Sequence, residues 1–276
     1  MIQVIKWGSN PIAKYSERMR SEISDELAAG SVSGVVVTPD EGFSDKTLDS
    51  LVGLPNLKIL VVQRLPDVTV DALERLPCLE EISMDETKQT LDLGRLPKLK
   101  RLSIFWHRKI FLNEASSKVE SLHVWKYRAA DLSGFPMFSN LAELELVQSN
   151  VKSLFGVTEL PRLKRLELHR LDQLEQLTDL RLQQLVSLVA VDCKKIGDHE
   201  HIASCTKLQE LKLHRCGVMK SIDFIRNLRE LQSFRFLGTS IADGDYSPLQ
   251  QLEDVYFTEN RKLNVKPSDF HQRRNS

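Results

Sequence analysis

One spacing constrains this chain more than any other feature. Leucine stands at Leu160, Leu163, Leu166, Leu168, Leu171, Leu174 and Leu177, within LPRLKRLELHRLDQLEQLTDL. Those steps match neither a helical period of 3.6 nor a strand period of 2. The unit L-x-x-L-x-L recurs along most of the sequence. Its first position is filled by Leu57, Leu79, Leu99, Val119, Leu141, Leu163, Leu185, Leu208, Leu231 and Leu252. Its fourth is Leu60, Ile82, Leu102, Leu122, Leu144, Leu166, Leu188, Leu211, Phe234 and Val255. Its sixth is Val62, Met84, Ile104, Val124, Leu146, Leu168, Ala190, Leu213, Phe236 and Phe257. Every one of these is apolar in a chain that is 41% hydrophobic, so the register is not an accident of composition.

From Leu60 to Val255 the pattern runs through nine intervals, a mean repeat of about 22 residues. Each copy supplies a short strand whose fourth and sixth side chains point to one side. Successive strands stack in parallel about 4.8 Å apart. So short a repeat leaves little room for a full return helix, and the far side is predicted as turns, extended pieces and short 3-10 segments. The predicted fold class is an α/β solenoid: a horseshoe with a parallel concave β-sheet and an irregular, 3-10 convex side.

These rows resemble the leucine-rich repeat superfamily, especially the short-repeat class of bacterial internalin-like proteins. The resemblance covers about three quarters of the chain and implies a protein-binding role. One row departs from it. The ninth position, usually Asn in that family, reads Leu65, Thr87, His107, Tyr127, Ser149, Leu171, Cys193, Cys216, Thr239 and Asn260. Loop geometry is therefore expected to vary, most of all near His107 and Tyr127, where Ser116 also breaks the preceding apolar row.

Residues 1–53 are predicted as a strand–helix–strand cap, 54–263 as the array of about ten repeats and 264–276 as a polar tail. In the cap, Ile2 to Trp7 reads as a strand ended by Gly8, Asn10 and Pro11. Ile12, Tyr15, Met19, Ile23 and Leu27 fall on one helical stripe, predicting a helix over Ser16–Ala29 with Ser16 as cap and Gly30 as stop. Val35–Val37 is then a second strand, paired in parallel with the first by a right-handed crossover. Ser44 to Val52 reads as a further short helix. The tail, with Lys266, Arg273 and Arg274, is a solvated end.

Charge and cysteine usage exclude several classes. Net charge is zero, with 38 basic and 38 acidic residues, which argues against a dedicated nucleic-acid binder. There is no apolar run of membrane-spanning length and no secretory leader in MIQVIKWGSN. The four cysteines show no disulfide framework, so a cytoplasmic chain with reduced thiols is expected. Phosphate-loop, nucleophile-elbow and zincin motifs are all missing, so no enzyme and no cofactor is expected. The one metal-like cluster is Cys193, His199, His201, Cys205, His214 and Cys216. It lacks a C-x-x-C pair and its cysteines fall on inward rows, which favours buried thiols over zinc or a metal hydrolase.

Positions three, five and seven of each strand face away from the core. They carry an exposed stripe with Phe105, Trp125, Val147 and Val191, which is unusual for water-facing positions. Around it stand Lys126, Glu145, Arg165, Glu167, His169, Arg170, Lys212, His214, Arg235 and Tyr256. Trp, Tyr and Arg dominate binding hot spots. The adjacency of Glu145 and Glu167, a like-charge pair, hints at a basic complement on a partner. The expected function is a non-catalytic scaffold, a monomer that binds a protein partner through its concave face. An inhibitor or immunity-type protein that covers an enzyme or toxin is the alternative.

Overall fold

The three repeat rows form the core: none of their residues is more than 6% exposed, from Leu57 to Phe257. The computed structural model describes residues 2–111, 114–178, 180–259 and 265–270. The chain divides into two units, Met1–His123 and Val124–Ser276. Asn260 of the ninth row, and Arg273 and Arg274 of the tail, lie outside the described residues.

The first unit holds β1 (Val4–Trp7), β2 (Asn10–Lys14), α1 (Arg20–Ala29), β3 (Gly34–Val37), β4 (Ile59–Val62), β5 (Glu81–Met84) and β6 (Arg101–Phe105). Its strands lie side by side in that order. Among the described residues only the β1–β2 pair is antiparallel; β2 to β6 are parallel. A further strand, β7 (Ser121–Trp125), contains the division point. The second unit continues with β8 (Glu143–Val147), β9 (Arg165–His169), β10 (Ser187–Val191), β11 (Glu210–His214), β12 (Ser233–Phe236) and β13 (Asp254–Phe257), all parallel. The return segments are short 3-10 turns, such as Asp71–Arg75, Val157–Glu159 and Asp223–Asn227. Among the described residues α1 is the only α-helix. A repeat of about 22 residues permits no more, because a return helix needs about three turns of its own.

The opening residues depart from expectation. The parallel partner of β3 is β2, not β1. Gly8, at φ 59°, reverses the chain, and Ile12, read as the start of the helical stripe, stands in β2 opposite Ile5. The helix proper starts at Arg20 after a 3-10 turn, Glu17–Met19, and the Ser16 side chain caps nothing. Its stop is as expected: Gly30 takes the left-handed conformation at φ 76°. Between Ser44 and Val52 only the 3-10 turn Asp49–Leu51 forms.

In most repeats the strand ends on a left-handed turn at position eight. Arg64, Lys126, Gln148, Arg170, Asp192 and Arg215 all hold φ between 51° and 60°, and Gly238 holds 62°. Each non-glycine there costs about 1 kcal/mol of backbone strain. In four repeats of the second unit the turn places a ninth side chain that can donate where it satisfies strand-end carbonyls. Thr239 Oγ1 donates to Leu213 O at 2.9 Å and accepts Cys216 N–H at 3.0 Å. Ser149 Oγ donates to Val147 O and accepts Tyr127 N–H, both at 3.1 Å. Cys216 Sγ lies 3.2 Å from Ala190 O and from His214 O, and Cys193 Sγ 3.5 Å from Leu168 O. Hydroxyl and thiol thus replace the family's Asn. Lys126 keeps the left-handed turn beside Tyr127, whereas Glu86 and Trp106 do not, so the irregularity falls at His107 as expected and one repeat before it, not at Tyr127.

Candidate functional site

The front face is the side of the sheet turned away from the core. In the second unit, strand register fixes which side chains share it. Glu145, Glu167, Val189, Lys212, Arg235 and Tyr256 form one row across β8 to β13. Val147, His169, Val191 and His214 form the next. Glu167 and Lys212 are half-buried, Arg165 and Arg235 are exposed, and Tyr256 is 53% exposed. Val147, Val191 and His214 are half-buried between neighbouring strands, and Val189 is fully buried. Trp125, which the pattern turns to water, is half-buried at the end of β7. Lys126 and Arg170 are exposed but stand on left-handed turns beyond the strand ends rather than on the face. Phe105, at the end of β6, belongs to the first unit and is half-buried.

The Glu145–Glu167 pair is not left to repel. His169 Nε2 lies 3.1 Å from Glu167 Oε2 and 3.7 Å from Glu145 Oε1. Arg165 Nε reaches Glu167 Oε1 at 2.6 Å. The chain supplies its own cations, so the like-charge pair by itself does not demand a basic partner. Arg235 is likewise held, 2.6 Å from Asp254. Ligand atoms of Glu145, Glu167 and His169 lie within 4.8 Å of one another. A divalent ion there would have to displace both the His169 proton and the Arg165 guanidinium from the oxygens it needs. Cys193, Cys205 and Cys216 are fully buried, and His199 Nε2 is bonded to Cys216 O at 2.8 Å.

Protonation follows from these contacts. The hydrogen bond from His169, and after it Arg165, draws Glu167 down to about 2 against the opposing effect of burial. The same bond to Glu167 raises His169 above its ordinary 6.5, with Glu145 adding to it. His214 is lowered, first by burial and then by Lys212, Arg215 and Arg235. The raised His169 contributes stability that is fully present below its unfolded value and lost as pH rises through its folded value. The depressed Glu167 contributes stability present above its unfolded 4.5 and lost as pH falls toward about 2. The pair therefore contributes most between 4.5 and 6.5. In an NMR titration His169 is expected above 6.5 and His214 below it, and Glu167→Gln should bring His169 back down. Coincident titration of the two rings would show that the His169–Glu167 contact does not form.

In the first unit the front of β2 to β4 is already covered. Ile12, Val36, Ile59 and Val61 form an apolar cluster no more than 3% exposed, and Ile5 and Trp7 of β1 pack on it. Sequence periodicity missed this, since it assigned Ile12 to a helix; the alternation of Ile5 and Trp7 in a two-residue step was the available signal.

A family model for leucine-rich repeats like those of a plant disease resistance protein, RPS2, matches residues 95–236. No curated protein matches the chain. Among solved structures, an internalin of Listeria monocytogenes superposes with a TM-score of 0.61 at 17% identity, over 91% of this chain and 74% of that one. A leucine-rich repeat protein of Leptospira interrogans gives 0.51 at 17%, over 82% and 67%. The functional domain of a second Listeria monocytogenes internalin, described as including a cysteine ladder, gives 0.52 at 18%, over 71% of this chain and 42% of that one. These likenesses show the leucine-rich repeat fold.

Proposed function

The chain belongs to the leucine-rich repeat family, and on that premise we propose that it is a non-catalytic scaffold that binds a protein partner through the front face of its second unit. The observation that carries this reading is the face itself. Parallel strands in fixed register hold Val147, His169 and Val191 in one half-buried row, beside a charged row that ends at the exposed Tyr256. Half-buried apolar side chains framed by fixed charges are what a hot spot and its polar rim require. The scaffold acts as a monomer in a reducing, cytoplasmic setting. A reducing setting suits the thiols, since Cys193 and Cys216 serve the ninth row through their S–H groups.

The test is capture of partners from the source cell, identified by mass spectrometry, with Trp125→Ala and Gln176→Ala chains run in parallel. Truncating an aromatic anchor costs about 2 kcal/mol at a hot spot, about thirtyfold in affinity. Trp125→Ala is expected to lose the partner while melting near wild type, since a half-buried residue costs less than the 2–5 kcal/mol of a core Leu→Ala. Gln176 is exposed on a return segment and should matter to neither. Stability lost with binding kept would make Trp125 a packing residue and move the partner elsewhere.

A further inference from the structure

In the first unit a strand of the sheet lies across the sheet's own front. Four strand spacings separate β1 from β5, about 19 Å on a flat sheet, more than two side chains can span. Yet Trp7 Nε1 donates to Glu81 Oε1 at 2.6 Å. β1 is therefore curled over the front face. Ile5 and Trp7 point down onto Ile12, Val36, Ile59 and Val61, while Val4 and Lys6, on the opposite side of the strand, are exposed. Glu81 is a fixed acceptor at the end of this seat, because its other oxygen is held by Arg101 Nε at 2.6 Å.

We propose that this face is a peptide-binding surface which β1 occupies as a built-in competitor. Its ligand is an extended segment of a partner protein carrying an aliphatic and an indole-bearing residue two positions apart. β1 is the template for that ligand. It gives the face two side chains, one indole hydrogen bond and a backbone pairing to β2, all of which an extended segment can reproduce. Swinging the hairpin open at Gly8 bares both the apolar floor and the edge of β2. A segment adding to that edge takes its affinity from backbone bonds and its specificity from alternate side chains. Being tethered, β1 competes at an effective concentration in the millimolar range, and it lowers the apparent affinity for any outside segment by the fraction of time the seat is open. None of these residues belongs to the second-unit face, so this surface stands or falls independently of that one.

The experiment uses the full chain and a fluorescently labelled peptide with the sequence of residues 2–9, IQVIKWGS. Trp7→Ala weakens the competitor and is expected to bind the peptide at least tenfold more tightly than the wild-type chain, by fluorescence anisotropy. Lys6→Ala, altered on the far side of the strand, should behave as wild type. Adding Val61→Thr to Trp7→Ala should abolish the gain, with melting curves checking that each variant is folded. In the wild-type chain, hydrogen exchange of the β1 amides should be at least tenfold faster than that of β3 and β4. A folded Trp7→Ala chain that ignores the peptide overturns the proposal, as do β1 amides that exchange only with β3 and β4. Concentration-dependent dimers of the wild-type chain that the peptide dissociates would assign the seat to arm exchange between two copies, and would overturn it equally.

Discussion

Leu166→Asp is expected to abolish cooperative folding of the second unit. Leu166 is fully buried in β9, in register with Leu144 on one side and Leu188 on the other. Truncating such a leucine costs about 2–5 kcal/mol. A carboxylate in its place adds a desolvation penalty of several kcal/mol, with no cation in the apolar row to repay it. The sum is comparable to the whole stability of a domain, about 5–15 kcal/mol. In a stacked array the damage passes to both neighbours, because each repeat is stable only through its interfaces. Circular dichroism should show no cooperative melt. A transition near the wild-type temperature would mean that position four does not face the core.

Gly34→Val should destabilise the first unit by about 3 kcal/mol, near the upper end for overpacking. The Gly34 backbone approaches β4 so closely that a Cβ would stand 2.1 Å from Ile59 O and 2.5 Å from Ile59 Cβ. The obstacle is backbone, which cannot swing aside as a side-chain tip can. A lower urea midpoint at unchanged slope is the expected readout, and an unchanged midpoint would show that β3 and β4 can separate without loss. The effect bears on the arm as well, since Ile59 is part of the floor on which Trp7 rests.

The repeats were legible because burial leaves a periodic record. Leu144, Leu166, Leu188, Leu211, Phe234 and Val255 are apolar in the sequence for the same reason that they pair in the sheet. The face was legible only as a list of positions. Register says that Glu145 and Glu167 are neighbours, but not that Arg165 and His169 reach back to neutralise them. The opening hairpin was misread because Ile12, Tyr15 and Met19 satisfy a helical step by coincidence, while the turn at Gly8 decides the matter. The left-handed turns left a trace only at Asp192 and Gly238. Arg64, Lys126, Gln148, Arg170 and Arg215 are poor choices for such a conformation, and only the geometry of the repeat places them there.

The ninth row has a wider consequence. At Ser149, Cys193, Cys216 and Thr239 what the row supplies is a hydrogen in the right place, not a particular residue. Serine, threonine and cysteine each deliver it, so mutation can wander among them without the sheet losing its shape. Sulfur alone carries a liability, because an oxidant can take its hydrogen away. The rungs at Cys193 and Cys216 lie on adjacent repeats and would fail together, which ties the durability of this stretch to the redox poise of its surroundings.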